Sequence, residues 1–537
     1  MKILILGGGF GGMFAAREVK KLFGAKAEVE LVNEENYFVF QPLLPEVAGG
    51  TITPMHAVSP LRSLLKGIKV RQARVVEVDP EARQVTVFQG VQRRPTHLSY
   101  DHLIVAMGTT VNLSKTPGLA EHGLPMKTLD DARRLRSHIL EKLEHADITG
   151  LPEVKREALT FCVIGAGFSG IETVGEMAEM IDRSLRHYPN IRPEEARIVV
   201  IEFADRILQE MPPKLADYAR EILEKRGIEV QLGTGVASAT GTTLETTKGE
   251  VIGTRTIVAT IGNAPSPVVS QMEITKEAGK IVTDRTMRAV NQPDVWALGD
   301  CALIPMTEEA SERTDFAPPT AQFAVREAKA VAANVHRAAT GGTPQPFDYT
   351  SQGSLASLGA RRGVAQVWGV TIRGWFAWVL WRLYYLSFIP GVRVKATVLF
   401  NWIIDGFSRS TVWIRTYDPP AVRYVHYRAG DRVFEAGNRA DGVYTVLQGR
   451  VEIEIEEDGK TVQRTVGPGD HFGARVILGH TQRSGTVRAA EDSVVMLIER
   501  DAFERLVEGF PALGQHFEEH LMQTYGIEWR PKARDAA

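Results

Sequence analysis

A strand, a glycine turn and a helix follow one another twice in this chain, and that duplication constrains its fold more than any other feature. Lys2–Leu6 is a short apolar run. Gly7-Gly8-Gly9-Phe10-Gly11-Gly12 follows it, then a helical pattern from Met13 to Leu22. Further on, Thr160–Ile164 runs into Gly165-Ala166-Gly167-Phe168-Ser169-Gly170, and a helix continues from Ile171. In each G-x-G-x-x-G the first glycine permits the tight turn, the second lets backbone approach a pyrophosphate, and the third lets helix pack on strand. The helix start offers unpaired N–H donors and partial positive charge to the phosphates. Each unit continues into a second strand, Glu28–Asn33 and Arg197–Ile201. The latter ends at Glu202, whose carboxylate can accept both ribose hydroxyls of an adenosine and repels a 2′-phosphate, so NADH is favoured over NADPH. One such unit predicts a single dinucleotide; two predict a flavin in one and a nicotinamide in the other.

Two more strands close these halves, within Tyr100–Thr109 and Thr256–Pro265, and Val295–Asp300 is predicted as a strand ending in Gly-Asp. Asp300 there can bond a flavin ribityl chain. A chain of 537 residues exceeds one hydrophobic core and predicts two to four domains. The net charge of −2 argues against a nucleic-acid partner. The only cysteines, Cys162 and Cys301, cannot form a CxxC, which disfavours a dithiol redox pair, an iron–sulfur cluster and a cysteine zinc site; no metal is expected. The opening MKILILGGG has no long apolar run with a cleavage site, so the cytoplasmic side is the expected compartment.

These motifs resemble the two-dinucleotide-binding flavoprotein reductases. The resemblance implies FAD at the first loop (Gly7, Gly9, Phe10, Gly11, Gly12, with Ala106, Gly108, Asp300 and Gln322) and NAD at the second (Gly165, Gly167, Gly170, Glu202, Gly262). Two departures stand out. The usual Ala-Thr-Gly reads Ala106-Met107-Gly108, and Asn33 stands where many relatives have an acid, leaving Asn33 or Glu34 to meet the FAD ribose. Asn36–Ala48 (NYFVFQPLLPEVA), Trp296–Ala302 (WALGDCA), Pro318–Ala328 (PPTAQFAVREA) and Gly353–Gly359 (GSLASLG) narrow the likeness to type II NADH:quinone oxidoreductase, over roughly the first 420 residues. That family implies a catalytic Gln322 in an Ala-Gln-x-Ala motif, and a catalytic Glu172 coupling flavin and nicotinamide to quinone reduction or protonation. By their types alone, Gln322 can donate to and accept from a quinone carbonyl or the flavin edge, or be a surface residue at a helix start. Glu172 can equally be a solvated acid favoured by the helix dipole. Gln352 replaces the lysine that relatives often carry before GSLA. Sulfide:quinone reductases are a second resemblance, but they need cysteines around the flavin, and Cys162 and Cys301 also fit as buried small hydrophobes.

Gly374–Pro390 (GWFAWVLWRLYYLSFIP) makes a helix of about 25 Å, short for a bilayer core, with Arg382 in its middle. Six of the eight tryptophans fall between Trp368 and Trp413, and residues 361–428 carry ten Lys/Arg against two acids. Aromatic rings with arginines at their margin suit the headgroup layer, and positive charge suits anionic lipid. Together with Val398–Phe407, the stretch is expected to form two amphipathic helices on the inner leaflet, where a membrane quinone is met. A buried helix pair or a homodimer interface is the competing reading.

After Tyr417-Asp418-Pro419-Pro420, short alternating strands separated by glycines predict a small antiparallel roll, with a helical tail at Asp501–Tyr525. Two stretches there resemble cyclic-nucleotide-binding domains. The family's Phe-Gly-Glu reads Phe472-Gly473-Ala474, while Arg483 and Ser484 remain as candidate ligands for a cyclic nucleotide or other small effector, against a structural or dimerisation role. The expected fold class is α/β: two Rossmann-like dinucleotide-binding domains, an amphipathic membrane-surface helical region and a C-terminal antiparallel β-roll with flanking helices. The expected boundaries are 1–113 with 285–345 (FAD), 114–284 (NAD), 346–420 (membrane), 421–525 (roll) and 526–537 (tail). The implied activity is a non-pumping NADH:quinone oxidoreductase at the cytoplasmic face of the cell membrane. The rivals are a sulfide:quinone or other flavin reductase, and a ligand sensor whose reductase half is inactive.

Overall fold

Lys2–Leu6 (KILIL) is almost wholly buried, as a strand covered on both faces must be. It lies in the middle of a parallel sheet ordered Val295–Ala297, His102–Val105, Lys2–Leu6, Glu28–Asn33, Lys69–Gln72. The last-formed strand, Val295–Ala297, returns to this sheet only after the second half of the chain is built. Helix α1 (Phe10–Phe23) leaves the first glycine turn and buries Met13, Ala15, Ala16 and Val19 on the sheet. The short helix α2 (Leu44–Ala48), with Pro45 in its first turn, is fully buried. This computed structural model describes residues 1–90, 94–407 and most of 422–503, with isolated positions beyond.

The second half repeats the plan. Parallel strands run in the order Thr256–Ala259, Thr160–Ile164, Arg197–Ile201, Ile228–Gln231. Helix α3 (Phe168–Leu185) follows the second turn and is buried over most of its length, against the sheet on one side and α2 on another. Helix α4 (Ala321–Ala339) is capped by the Thr320 hydroxyl, which accepts from Phe323 N, and packs along α1. The predicted strand ending at Asp300 is shorter than expected. It stops at Ala297, and Gly299–Cys301 is a single 3-10 turn.

An antiparallel sheet, Gly353–Ser357, Gly363–Val367 and Val370–Arg373, precedes the aromatic helices α5 (Gly374–Phe388) and α6 (Val392–Phe407). Among the described residues no helix is long and apolar enough to cross a membrane. The expectation that arginine marks the wet margin of α5 needs correction. Arg382 is 8 % exposed and lies over the Trp378 and Trp402 rings, with its guanidinium on the buried Glu46 carboxylate at 3.3 Å. A paired charge tolerates burial that an isolated one does not.

Residues 113–123, 236–255 and the described residues from 422 onward form a compact unit distinct from the rest. Its roll consists of two four-stranded antiparallel sheets around Tyr444, Val446, Val451, Phe472, Val487 and Val495. Three of its strands, His471–Phe472, Gly485–Ala489 and Ser493–Glu499, go beyond the five that the sequence predicts between Tyr424 and Val466. The 408–421 join, nearly all of the Asp501–Tyr525 helical tail and the 526–537 tail lie outside the described residues.

Candidate active site

The two glycine turns are built alike, atom for atom. Gly7 has φ +101° and donates its N–H to Val32 O at 2.8 Å; Gly165 has φ +95° and donates to Ile201 O at 2.9 Å. A Cβ at Gly12 would collide with the Gly7 carbonyl oxygen, and one at Gly170 with that of Gly165. A Cβ at Gly9 or Gly167 would meet nothing within 4 Å, so each turn leaves open space beside a helix start, where a pyrophosphate fits. A side chain at the end of each second strand ties back to its turn. Gly8 N donates to Asn33 Oδ1 at 2.7 Å, and Ala166 N to Glu202 Oε2 at 2.6 Å, with Ala204 N on Glu202 Oε1 at 2.9 Å. Asn33 therefore occupies the place that Glu202 holds in the other half, and Glu34 is exposed.

Around the first turn, Gly11 packs closely against Leu298 and Ala106, and Phe10 stacks edge-on with Phe38 and meets Phe40. Asp300 Oδ2 accepts from Thr109 Oγ1 at 3.3 Å and lies 3.7 Å from Lys127 Nζ. Gly108 (φ +61°) and Gly262 (φ +84°) follow the closing strands of the two halves. The strands that continue from them, Thr109–Val111 and Asn263–Pro265, pair antiparallel, and Asn112 N donates to Gly262 O at 2.8 Å.

Glu172 lies in the second turn of α3 and is 6 % exposed. Its Oε1 accepts from Trp381 Nε1 at 2.7 Å and from Ser357 N at 3.2 Å. Burial, with the nearby Glu46 and Glu176 carboxyls, pushes its pKa up to about 8 despite these bonds. With its pKa so raised, the carboxyl is held toward its neutral form, unlike a solvated anion. Trp381 packs on Tyr385, which meets Phe40, which meets Phe10 in the first turn. A continuous path of aromatic rings thus joins Glu172 to the first glycine turn.

Gln322 stands in the first turn of α4, half-buried, its Oε1 accepting from Ser351 Oγ at 3.3 Å. One turn on, the Arg326 guanidinium lies 5.2 Å from both the Tyr349 and the Phe388 ring centroids. Phe388 packs on Tyr384, and Tyr384 on Tyr385. Glu172 thus meets α5 at its middle through Trp381, and Arg326, one turn after Gln322, meets the Phe388 ring at its end.

The family described as Pyridine nucleotide-disulphide oxidoreductase matches residues 1–328, the NDH2 C-terminal domain matches 351–410, and the Cyclic nucleotide-binding domain matches 424–510. The Type II NADH:quinone oxidoreductase Ndh of Mycobacterium tuberculosis is 30% identical over 424 residues, covering 76% of this chain and 88% of its own. The chain belongs to the type II NADH:quinone oxidoreductases. A Staphylococcus aureus member of the family is 29% identical over 380 residues, covering 70% of this chain and 91% of its own. The fold matches that of NDH2 from Plasmodium falciparum solved with NADH, with TM-score 0.71, 20% identity, and coverage of 77% of this chain and 99% of that one.

Cys162 and Cys301 are buried; Cys301 Sγ donates to Leu298 O at 3.3 Å, and burial pushes its thiol up to about 11. In the roll, Arg483 faces inward. Nη1 donates to Gly473 O at 2.9 Å and Nη2 to Gly442 O at 2.8 Å, with the guanidinium over the Phe434 and Tyr444 rings, while Ser484 is exposed. A phosphate would have to compete with those two carbonyls.

Several residues of the site were not legible in advance. Glu46 accepts from Arg382 and from Trp402 Nε1 at 3.0 Å, and its carboxyl is raised by burial. Glu176, one turn after Glu172, accepts from Thr51 Oγ1 at 3.1 Å and is pushed up to about 8. With Arg183, Asp405 and Trp378, Glu176 and Arg382 line a cavity of about 400 Å³. The only advance sign was the spacing of Glu172, Glu176 and Glu179 along one face of α3.

Proposed function

We propose that this enzyme holds FAD at the first glycine turn, takes NADH at the second, and reduces a membrane quinone at a lipid surface without pumping protons. The observation that carries the reading is the burial of Glu172 against Trp381 of α5, the helix whose other face is apolar and open. Phe376 is 71 % and Phe400 of α6 is 60 % exposed, beside Trp375, Leu383 and Ile403. Such faces, flanked by Arg373, Arg393 and Lys395, suit the headgroup layer of an anionic leaflet. We take that leaflet to be the cytoplasmic one.

Bound FAD would supply the two-electron chemistry between a hydride donor and a quinone. The chain's own residues do the rest. The start of α3 and the Gly165 turn would hold the NADH pyrophosphate, and Glu202 would take the adenosine ribose on lone pairs left free by Ala166 and Ala204. The start of α1 and Asp300 would hold the flavin dinucleotide, with Asn33 near its ribose. Gln322 would donate from its amide nitrogen to a quinone carbonyl while Ser351 fixes its oxygen. Hydride transfer brings two electrons and one proton, and the quinol needs one proton more. Glu172, kept toward its neutral form and behind the aromatic path, would hold that proton at Oε. A role for a cyclic nucleotide or another small effector at Arg483 and Ser484, and a homodimer, remain within this reading as further partners.

NADH:menaquinone turnover by the full chain in liposomes, with Gln322→Ala beside it, tests the reading. The variant is expected to raise KM for the quinone about tenfold, the worth of one hydrogen bond in a desolvated site, with flavin reduction by NADH unchanged. Equal quinone kinetics in the two proteins would remove Gln322 from the site.

A further inference from the structure

The 3-10 turn Gly299–Cys301 begins with an N–H that its own short turn cannot satisfy. Gly299, at φ +71°, donates it at 2.7 Å to Glu327 Oε2. Glu327 lies within α4, and at 2 % exposure it is among the most buried carboxyls of the molecule. Burial and the neighbouring Asp300 push it up to about 7, with Lys280 acting the other way. Burying a carboxyl is costly unless it has something to hold. What it holds is the residue before Asp300, while the far side of the turn is fixed by Cys301 Sγ on Leu298 O and by Leu298 N on Val105 O at 3.1 Å. Gln322 is five residues earlier on the same helix.

We propose that Glu327 is a positioning residue for the flavin site. From beneath, it fixes the Gly299–Asp300 turn, so that Asp300 and Gln322 are set by one rigid element. This rests on the reading of the first glycine turn as the flavin site. Reach, not charge, is what the role requires: an acceptor oxygen must arrive at Gly299 N from α4.

Two conservative variants separate these properties in the full-length protein. Glu327→Gln keeps the reach and loses the charge; Glu327→Asp keeps the charge and withdraws the oxygen by one methylene. The quantities measured are the dissociation constant of FAD, by titrating the flavin-stripped protein, and the melting temperature of the stripped protein. Glu327→Gln is expected to bind FAD within about twofold of the parent, and Glu327→Asp about tenfold more weakly, at similar melting temperatures of the stripped forms. Parental affinity in Glu327→Asp, weakening by Glu327→Gln alone, or a melting shift with no change in affinity would each overturn the proposal. A parent protein that binds no FAD at all would instead defeat the reading of the flavin site.

Discussion

Replacing Glu172 by glutamine is expected to slow NADH:quinone turnover about a hundredfold at pH 7, while NADH still reduces the bound flavin at the parental rate. The magnitude is that of removing a positioned general acid. Glutamine keeps the acceptor for Trp381 Nε1 and Ser357 N, so the helix contact survives and only the proton is lost. The parent's quinone step should fall as pH rises through about 8, where the acid ionises, and the variant's should be low and flat. Stability should shift with a definite sign. The folded value is raised above 4.5, so stability conferred by the neutral acid is whole below that pH and lost as pH rises to about 8. Glu172→Gln should accordingly gain melting temperature over the parent at about pH 9, relative to the difference at about pH 4. Parental turnover in the variant would reduce Glu172 to a structural acceptor for Trp381.

The second large effect divides the two nucleotides. Alanine at position 12 or 170 places a methyl group against the carbonyl oxygen of the first glycine of its own turn. The obstacle is backbone, so the turn itself must open, at a cost of about 1–3 kcal/mol or a ten- to hundredfold loss of affinity. Gly12→Ala is expected to be isolated with little or no flavin. Gly170→Ala should stay yellow, yet need ten- to hundredfold more NADH for the same rate of flavin reduction. The absorption spectrum of each protein as isolated, followed by anaerobic NADH titration, distinguishes them. Loss of flavin from Gly170→Ala with retention in Gly12→Ala would exchange the two sites.

These turns could be read from sequence because their glycines are demanded by local geometry. A positive φ and a helix resting on the turn leave no other residue type at Gly7, Gly12, Gly165 or Gly170, and the strands they join are neighbours in sequence. The helix start near Thr320 was equally local, announced by Pro318-Pro319. What escaped depends on distant partners. Glu172 reads as a helix-surface acid until Trp381, 209 residues away, covers it. Arg382 reads as a charge in mid-helix with no partner in view until Glu46, 336 residues away, pairs with it in the core. Glu327 stands among Phe323, Ala324 and Val331 on the apolar face of its helix, and nothing local says what it bonds until the Gly299 turn arrives over it. Arg483 matches its family position by sequence, yet its guanidinium is directed by the carbonyls of Gly442 and Gly473. The strand Ser493–Glu499 (SVVMLIE) carries apolar residues at successive positions, so its sequence lacks the alternation that marks a half-buried strand, although Val495 and Leu497 are buried and Val494 and Met496 only partly so.

The reading of this enzyme depends on one chromophore passing electrons from a soluble donor to a lipid-borne acceptor. Anaerobic double-mixing stopped flow examines that directly: the purified protein meets NADH first and a naphthoquinone second, while the flavin band is followed. The expected trace is a bleaching on the first mix and a full return of colour on the second. A colourless protein, or a bleached flavin that no quinone restores, would contradict it.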